Sequence, residues 1–138
     1  MALKLISQNA ETLFEAYHAR KKEYETLRAG EQWSGAILHA GTLVELALKL
    51  VICKNLGVTQ LPVIFQVHDL ELLLYCTGQQ SVFSANLALQ ENFRFIRDRW
   101  SMALRYEGAV KTKEHAEEFD QALFDQVHGV ISCLSQYF

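Results

Sequence analysis

Trp33 to Lys54 reads WSGAILHAGTLVELALKLVICK, a run without proline whose only charges before its last residue are Glu45 and Lys49. Projected at about 100° per residue, its leucines, isoleucines, valines and alanines cover nearly the whole circumference. A helix that is apolar all round must be wrapped by others, so the pattern predicts a central helix. Leu38, Thr42, Glu45 and Lys49 follow one another at steps of four, three and four along one edge, which places them on a single face. That edge is where the predicted core helix carries polar groups.

The flanking sequence supplies the wrapping. A first helix is predicted from Ser7 or Asn9, either of which can cap it, to Arg28. Its inward stripe is Ala10, Leu13, Phe14, Tyr17, Tyr24 and Leu27. Residues 29–32 are the turn into the central helix, which ends at Asn55–Gly57. Residues 58–68 form a connector broken at Pro62, the single proline. Asp69 caps a short helix, LELLLYC, stopped by Thr77–Gly78, and Ser81 to Gln90 adds one or two further turns. A strong helix is predicted over Asn92–Arg105, then a loop, EGAVKTK, and a closing helix from Glu114 to Tyr137. The stripe of that last helix is Phe119, Leu123, Val127, Val130, Ile131 and Leu134. With no β-branched alternating runs, the chain reads as all-α: an up-and-down bundle of four to five helices in a single domain over residues 1–138.

Composition bounds what such a bundle does. Half of the 138 residues are hydrophobic and about a fifth charged, an apolar surplus that predicts coverage by a second copy of the chain. A net charge of −3 argues against a protein that coats nucleic acid or a membrane broadly, so any such contact must use a local patch. Cys53, Cys76 and Cys133 are odd in number, far apart and set in apolar segments, which fits reduced buried thiols better than a disulfide framework or a zinc site. The N-terminal apolar run is too short for a signal peptide. Glu45 and Lys49 would each cost about 3 kcal/mol near the middle of a bilayer. The expectation is a soluble cytoplasmic protein that makes no membrane contact.

The densest positive charge falls on Asn92–Arg105, where Arg94, Arg97, Ser101 and Arg105, with Asp98, share an arc of roughly 100° on the predicted helix. Such a face is usually just solvated. Its functional reading is an anion site for phosphate or an RNA backbone, because guanidinium forks match those oxygens, and Arg105–Tyr106 beside a loop is the strongest candidate within it. Arg99 falls in the apolar arc and must snorkel or meet a carboxylate such as Glu45. Glu45 and Lys49 have the spacing of an intrahelical ion pair. His39 and His68 flank apolar runs, where a histidine is more often a hydrogen-bonded or capping residue than a base. His115 opens the last helix, and His18 and His128 read as surface residues. Gly-rich phosphate loops, HExxH, CxxC and GxSxG are all missing from the sequence. That argues against a self-sufficient metal hydrolase or a nucleotide-fold enzyme, and no metal or cofactor is expected.

The order of short motifs resembles a known family. Ala40, Glu45, Lys49 and Gly57 are followed by His68, Asp69, Leu70, Leu73 and Leu74, and then by Trp100, Arg105 and Tyr106 ahead of a long closing helix. Over residues 8–136 this succession resembles the HEPN superfamily, the higher eukaryotes and prokaryotes nucleotide-binding helical domains. The resemblance implies a homodimer. It also implies a partnership with a minimal nucleotidyltransferase in a toxin–antitoxin or defence system, and a cleft for nucleotide or RNA. Within such a site it implicates Arg97, Arg105, Tyr106, Glu45, Lys49 and His68 as ligand-binding residues. Some members are metal-independent RNases whose motif is an arginine ending one helix and a histidine opening the last, with four to six residues between them. Here Arg105 and His115 stand at the corresponding places but nine residues separate them. The expectation is therefore a binding or partner subunit without RNase activity. An RNase using Arg105 and His115, or a purely structural dimer, are the alternatives.

Overall fold

In a computed structural model of the chain, residues 8–138 are described, and among them all regular structure is helical. Seven α-helices follow in order: α1 Ala10–Ala29, α2 Trp33–Leu56, α3 Leu70–Cys76, α4 Gln80–Ser84, α5 Leu87–Arg99, α6 Lys113–Phe124 and α7 Val130–Leu134. Short 3-10 turns at Val63–Phe65, Met102–Tyr106 and Ser135–Tyr137 join or close them. The one extended pairing among the described residues is an antiparallel bridge between Asn9 and Gln60.

α2 is the axis. Every residue from Leu43 to Cys53 is buried, and α1, α3, α6 and α7 all pack on it. It is the one helix among the described residues long and apolar enough to cross a membrane, and 83% of its most apolar window is buried inside the protein. Each fully buried leucine or isoleucine on it contributes about 1.5–3 kcal/mol. Gly57 ends it in the left-handed conformation at φ 63°, where a residue without Cβ is unstrained.

α1 begins where Asn9 accepts from the Thr12 amide at 2.9 Å while its own amide donates to the Thr12 hydroxyl at 3.1 Å, a reciprocal cap that satisfies two amides left open by the helix start. Ser7, the other candidate cap, lies outside the described residues. Leu13, Tyr17 and Tyr24 are buried as expected, whereas Phe14 stays 47% exposed. Tyr24 donates its hydroxyl to Asp120 at 2.7 Å, and Arg28 reaches the same oxygen at 3.1 Å, which ties α1 to α6. Burial and that carboxylate push the Tyr24 phenol well above its ordinary pKa.

Two helices are shorter than the sequence predicts. The predicted Asn92–Arg105 helix begins earlier, at Leu87, and stops at Arg99, because Trp100 turns into extended backbone at φ −115° and ψ 138°. Its indole is 5% exposed and donates to the Leu38 carbonyl at 3.0 Å. The ring lies so close over Gly41 that a Cβ there would fall within it. Ser101 then caps the 3-10 turn by accepting from Ala103 at 3.2 Å. The predicted Glu114–Tyr137 helix likewise breaks after Phe124. The Asp125 carboxylate there accepts from the amides of Val127 at 3.3 Å and His128 at 2.8 Å, a local alternative to the helix ladder. Val127, expected in the core stripe, is 74% exposed in that turn.

Candidate functional site

The polar edge of α2 is a buried cluster. Glu45 and Lys49 are 7% and 3% exposed. Lys49 Nζ donates to Glu45 Oε2 at 3.2 Å and to Gln8 Oε1 at 3.2 Å. The other oxygen, Glu45 Oε1, lies 2.8 Å from His68 Nδ1. Glu45 therefore spans the inside and the outside of the protein, since the His68 side chain is 63% exposed. A carboxylate only accepts, so His68 Nδ1 carries the proton in this bond and, in the neutral ring, Nε2 keeps its lone pair.

A second arrangement lies at the start of α6. Thr112 caps that helix by accepting from the His115 amide at 3.3 Å, and its own amide donates to His115 Nδ1 at 3.1 Å. A backbone N–H only donates, so His115 Nδ1 must accept, which puts the proton of the neutral ring on Nε2. His115 lines a groove of about 320 Å³ together with Phe95, Arg99, Lys111, Glu118 and Phe119. The Arg99 guanidinium stacks 4.2 Å from the Phe95 ring centroid, and Phe95 packs edge-on against Phe119 with centroids 5.1 Å apart. The Lys111 amide donates to Ser34 Oγ at 3.1 Å, which anchors the loop to the start of α2, and its ammonium stands 3.7 Å from Glu107. The neighbouring Glu114 carboxyl is held below its ordinary pKa by hydrogen bonds that it accepts from its own backbone N–H, the larger cause, and from the Thr112 side chain.

The remaining candidates are spread elsewhere. Arg105 donates to the Tyr106 hydroxyl at 2.8 Å with its guanidinium 4.9 Å from that ring, on an exposed turn, and it does not line the groove that holds His115. Arg97 bonds Asp98 at 2.8 Å and Glu71 at 3.2 Å. These contacts raise its pKa and lower that of Asp98, with the Arg97–Asp98 hydrogen bond the largest cause for both. Arg94 and Arg97 line a separate pocket of about 160 Å³. With α5 ending at Arg99, the shared arc of Arg94, Arg97, Ser101 and Arg105 does not form. Nor does Arg99 reach Glu45 for its partner; the carboxylate is taken by Lys49 and His68.

Arg99, Lys111 and Glu118 are the charged groove residues that sequence reasoning did not select as site residues. Phe95 and Arg99 do have the i, i+4 spacing of a helical contact, and Thr112-x-x-His115 has capping-box spacing with histidine in the acidic position; both signals were in the sequence. Cys53 and Cys133 have pKa values raised by burial, which disfavours thiolate chemistry. No group of three or more histidine, cysteine or carboxylate side chains suited to a metal occurs among the described residues. No protein-family model matches this chain, and neither a curated protein nor a solved structure matches it.

Proposed function

We propose that the protein is a non-catalytic HEPN-like subunit that binds a nucleotide or another phosphate-bearing ligand in the groove between the end of α5 and the start of α6. In this reading it is a cytoplasmic homodimer that works with a minimal nucleotidyltransferase in a toxin–antitoxin or defence setting. The supporting observation is the convergence of Arg99, Lys111 and His115 on one groove floored by Phe95 and Phe119. Two cationic side chains and an imidazole whose Nε2 carries hydrogen are all donors, as phosphate oxygens require. The same tautomer weighs against an RNase, because a general base must offer a lone pair to the proton it removes. Arg105, satisfied on Tyr106, stands outside the groove.

Titration with ATP, AMP and inorganic phosphate, followed by thermal melting, tests the reading. Ligand at a hundred times its Kd stabilises by about 2.7 kcal/mol, a rise on the order of 5–15 °C. Arg99→Ala should abolish the rise and Arg105→Ala should leave it intact. An unmoved melting temperature at millimolar ligand refutes the groove as a phosphate site. RNA cleavage that disappears in His115→Ala refutes the non-catalytic reading.

A further inference from the structure

The cluster around His68 plays no part in that groove, and its chemistry is of the opposite kind. Four properties coincide at this imidazole. Its side chain is 63% exposed. Nδ1 is held 2.8 Å from a carboxylate that is itself 7% exposed. That carboxylate is fixed from behind by the buried Lys49 ammonium at 3.2 Å. In the neutral ring the Nε2 lone pair meets no hydrogen-bond partner among the described residues. Core histidines are normally satisfied at both nitrogens or buried; this one is oriented from inside and left open outside.

We infer that His68 is a phosphoryl-acceptor site: its Nε2 takes a phosphoryl group from a donor in which phosphorus is bound to nitrogen or to an acyl oxygen. In the step, the Nε2 lone pair forms an N–P bond while the bond from phosphorus to the leaving group breaks and its electron pair departs with that group. With phosphoramidate the leaving group is ammonia, which keeps the protons already on its nitrogen. The Nδ1 proton stays in place. The positive charge that develops on the ring faces Glu45 Oε1, so a charge-assisted hydrogen bond strengthens as the N–P bond forms. Lys49 acts as a positioning residue, since it holds the second carboxylate oxygen and prevents Glu45 from turning away. An exposed, preoriented imidazole on open surface suits a phosphoryl group delivered by another macromolecule or by a small donor.

His115 is the internal control, because its outward nitrogen carries hydrogen. The intact protein is treated with phosphoramidate and, separately, with acetyl phosphate, and phosphohistidine is mapped by mass spectrometry under alkaline conditions that preserve it. His68 should be labelled about tenfold faster than His115 or His18, the ratio that about 1.4 kcal/mol of preferential hydrogen-bond support to the attacking ring gives. Labelling by phosphoramidate alone marks the donor as the nitrogen-bound type, and labelling by both extends it to acyl phosphates. The Glu45→Gln/Lys49→Met double variant, which removes both buried charges together, should lose that advantage while keeping its helical circular dichroism. Equal labelling of His68, His115 and His18 in the unaltered protein overturns the inference, as does an undiminished His68 rate in the folded double variant.

Discussion

His68 and His115 engage the same ring atom, one as donor and the other as acceptor, and come out chemically opposite. Each has Nδ1 engaged about 3 Å from its partner, at 2.8 Å for His68 and 3.1 Å for His115. The partner of one is a carboxylate and that of the other a backbone amide. In the neutral rings, the first leaves a lone pair on Nε2 and the second leaves a hydrogen there. A histidine's capability is thus set by the donor or acceptor nature of what stands behind it. The surroundings differ as much: Glu45 and Lys49 are buried on α2 in the core of the bundle, whereas Thr112 and His115 form a surface helix cap. Perturbing the two regions should therefore give very different energies.

The largest effect belongs to the buried pair. Glu45→Ala leaves the Lys49 ammonium, 3% exposed, without its carboxylate, and removal of one member of a buried pair costs about 3–5 kcal/mol. Urea denaturation of the variant should show that loss. Glu45→Gln/Lys49→Met, which removes both charges, should recover most of it. A loss under 1 kcal/mol for Glu45→Ala would mean that water reaches Lys49 and that the contrast between the two regions is smaller than the burial implies.

Next comes the joint that connects the core to the groove. Gly41→Ala puts a methyl where the Trp100 indole lies, and overpacking of this kind costs about 1–3 kcal/mol. Because Trp100 ends α5 directly after Arg99, the displaced indole should also weaken phosphate binding in the groove. Nucleotide titration of Gly41→Ala checks this, and unchanged affinity would show that Arg99 is positioned by its stacking on Phe95 alone.

That joint also marks where the sequence stopped being legible. The all-helical architecture, the central position of α2, the Asp69 cap and the Glu45–Lys49 pair follow from spacing within one helix, so local pattern suffices for them. The end of α5 does not. Nothing in NFRFIRDRWSMALR signals a stop at Arg99, because the cause is a carbonyl on Leu38, 62 residues earlier, and the space left by Gly41. The break after Phe124 is similar: Asp125 competes for the local amides, and Asn92 fixes the turn by donating to the His128 carbonyl at 2.9 Å. The polar edge was visible, but not that His68 would cross the connector to complete it. Arg99 was recognised as misplaced on an apolar arc, yet its stacking on Phe95 and its share in a groove with Lys111 depend on where the loop after α5 returns.

A smaller change tests the cap side of the comparison. Thr112→Ala removes the hydroxyl that accepts from the His115 amide, which should cost about 1 kcal/mol. His115→Ala should cost no more, since the Thr112 amide it frees is exposed and water can replace the ring. If His115→Ala costs as much as Glu45→Ala by urea denaturation, His115 is a structural residue and the groove loses its claim to it.

The smallest effect lies on the exposed face of α5, where Arg97 is engaged by Asp98 and Glu71. The Asp98 pKa is lowered in the folded chain, first by its hydrogen bond from Arg97. A lowered folded-state pKa means that the unfolded chain binds the proton more readily. The stabilisation from this pair is therefore present at neutral pH and fades only as pH falls below the ordinary aspartate value of about 3.9. Asp98→Asn should change stability at pH 7 less than any of the preceding variants, as expected of a solvated pair, and its urea midpoint should converge with that of the parent only below the lowered Asp98 pKa. Nucleotide binding should be untouched at neutral pH, because Arg97 lines the pocket with Arg94 rather than the His115 groove. A loss of binding in Asp98→Asn would move the phosphate site along α5 to Arg94 and Arg97, and the contrast between His68 and His115 would then describe two histidines, neither of which contacts the ligand.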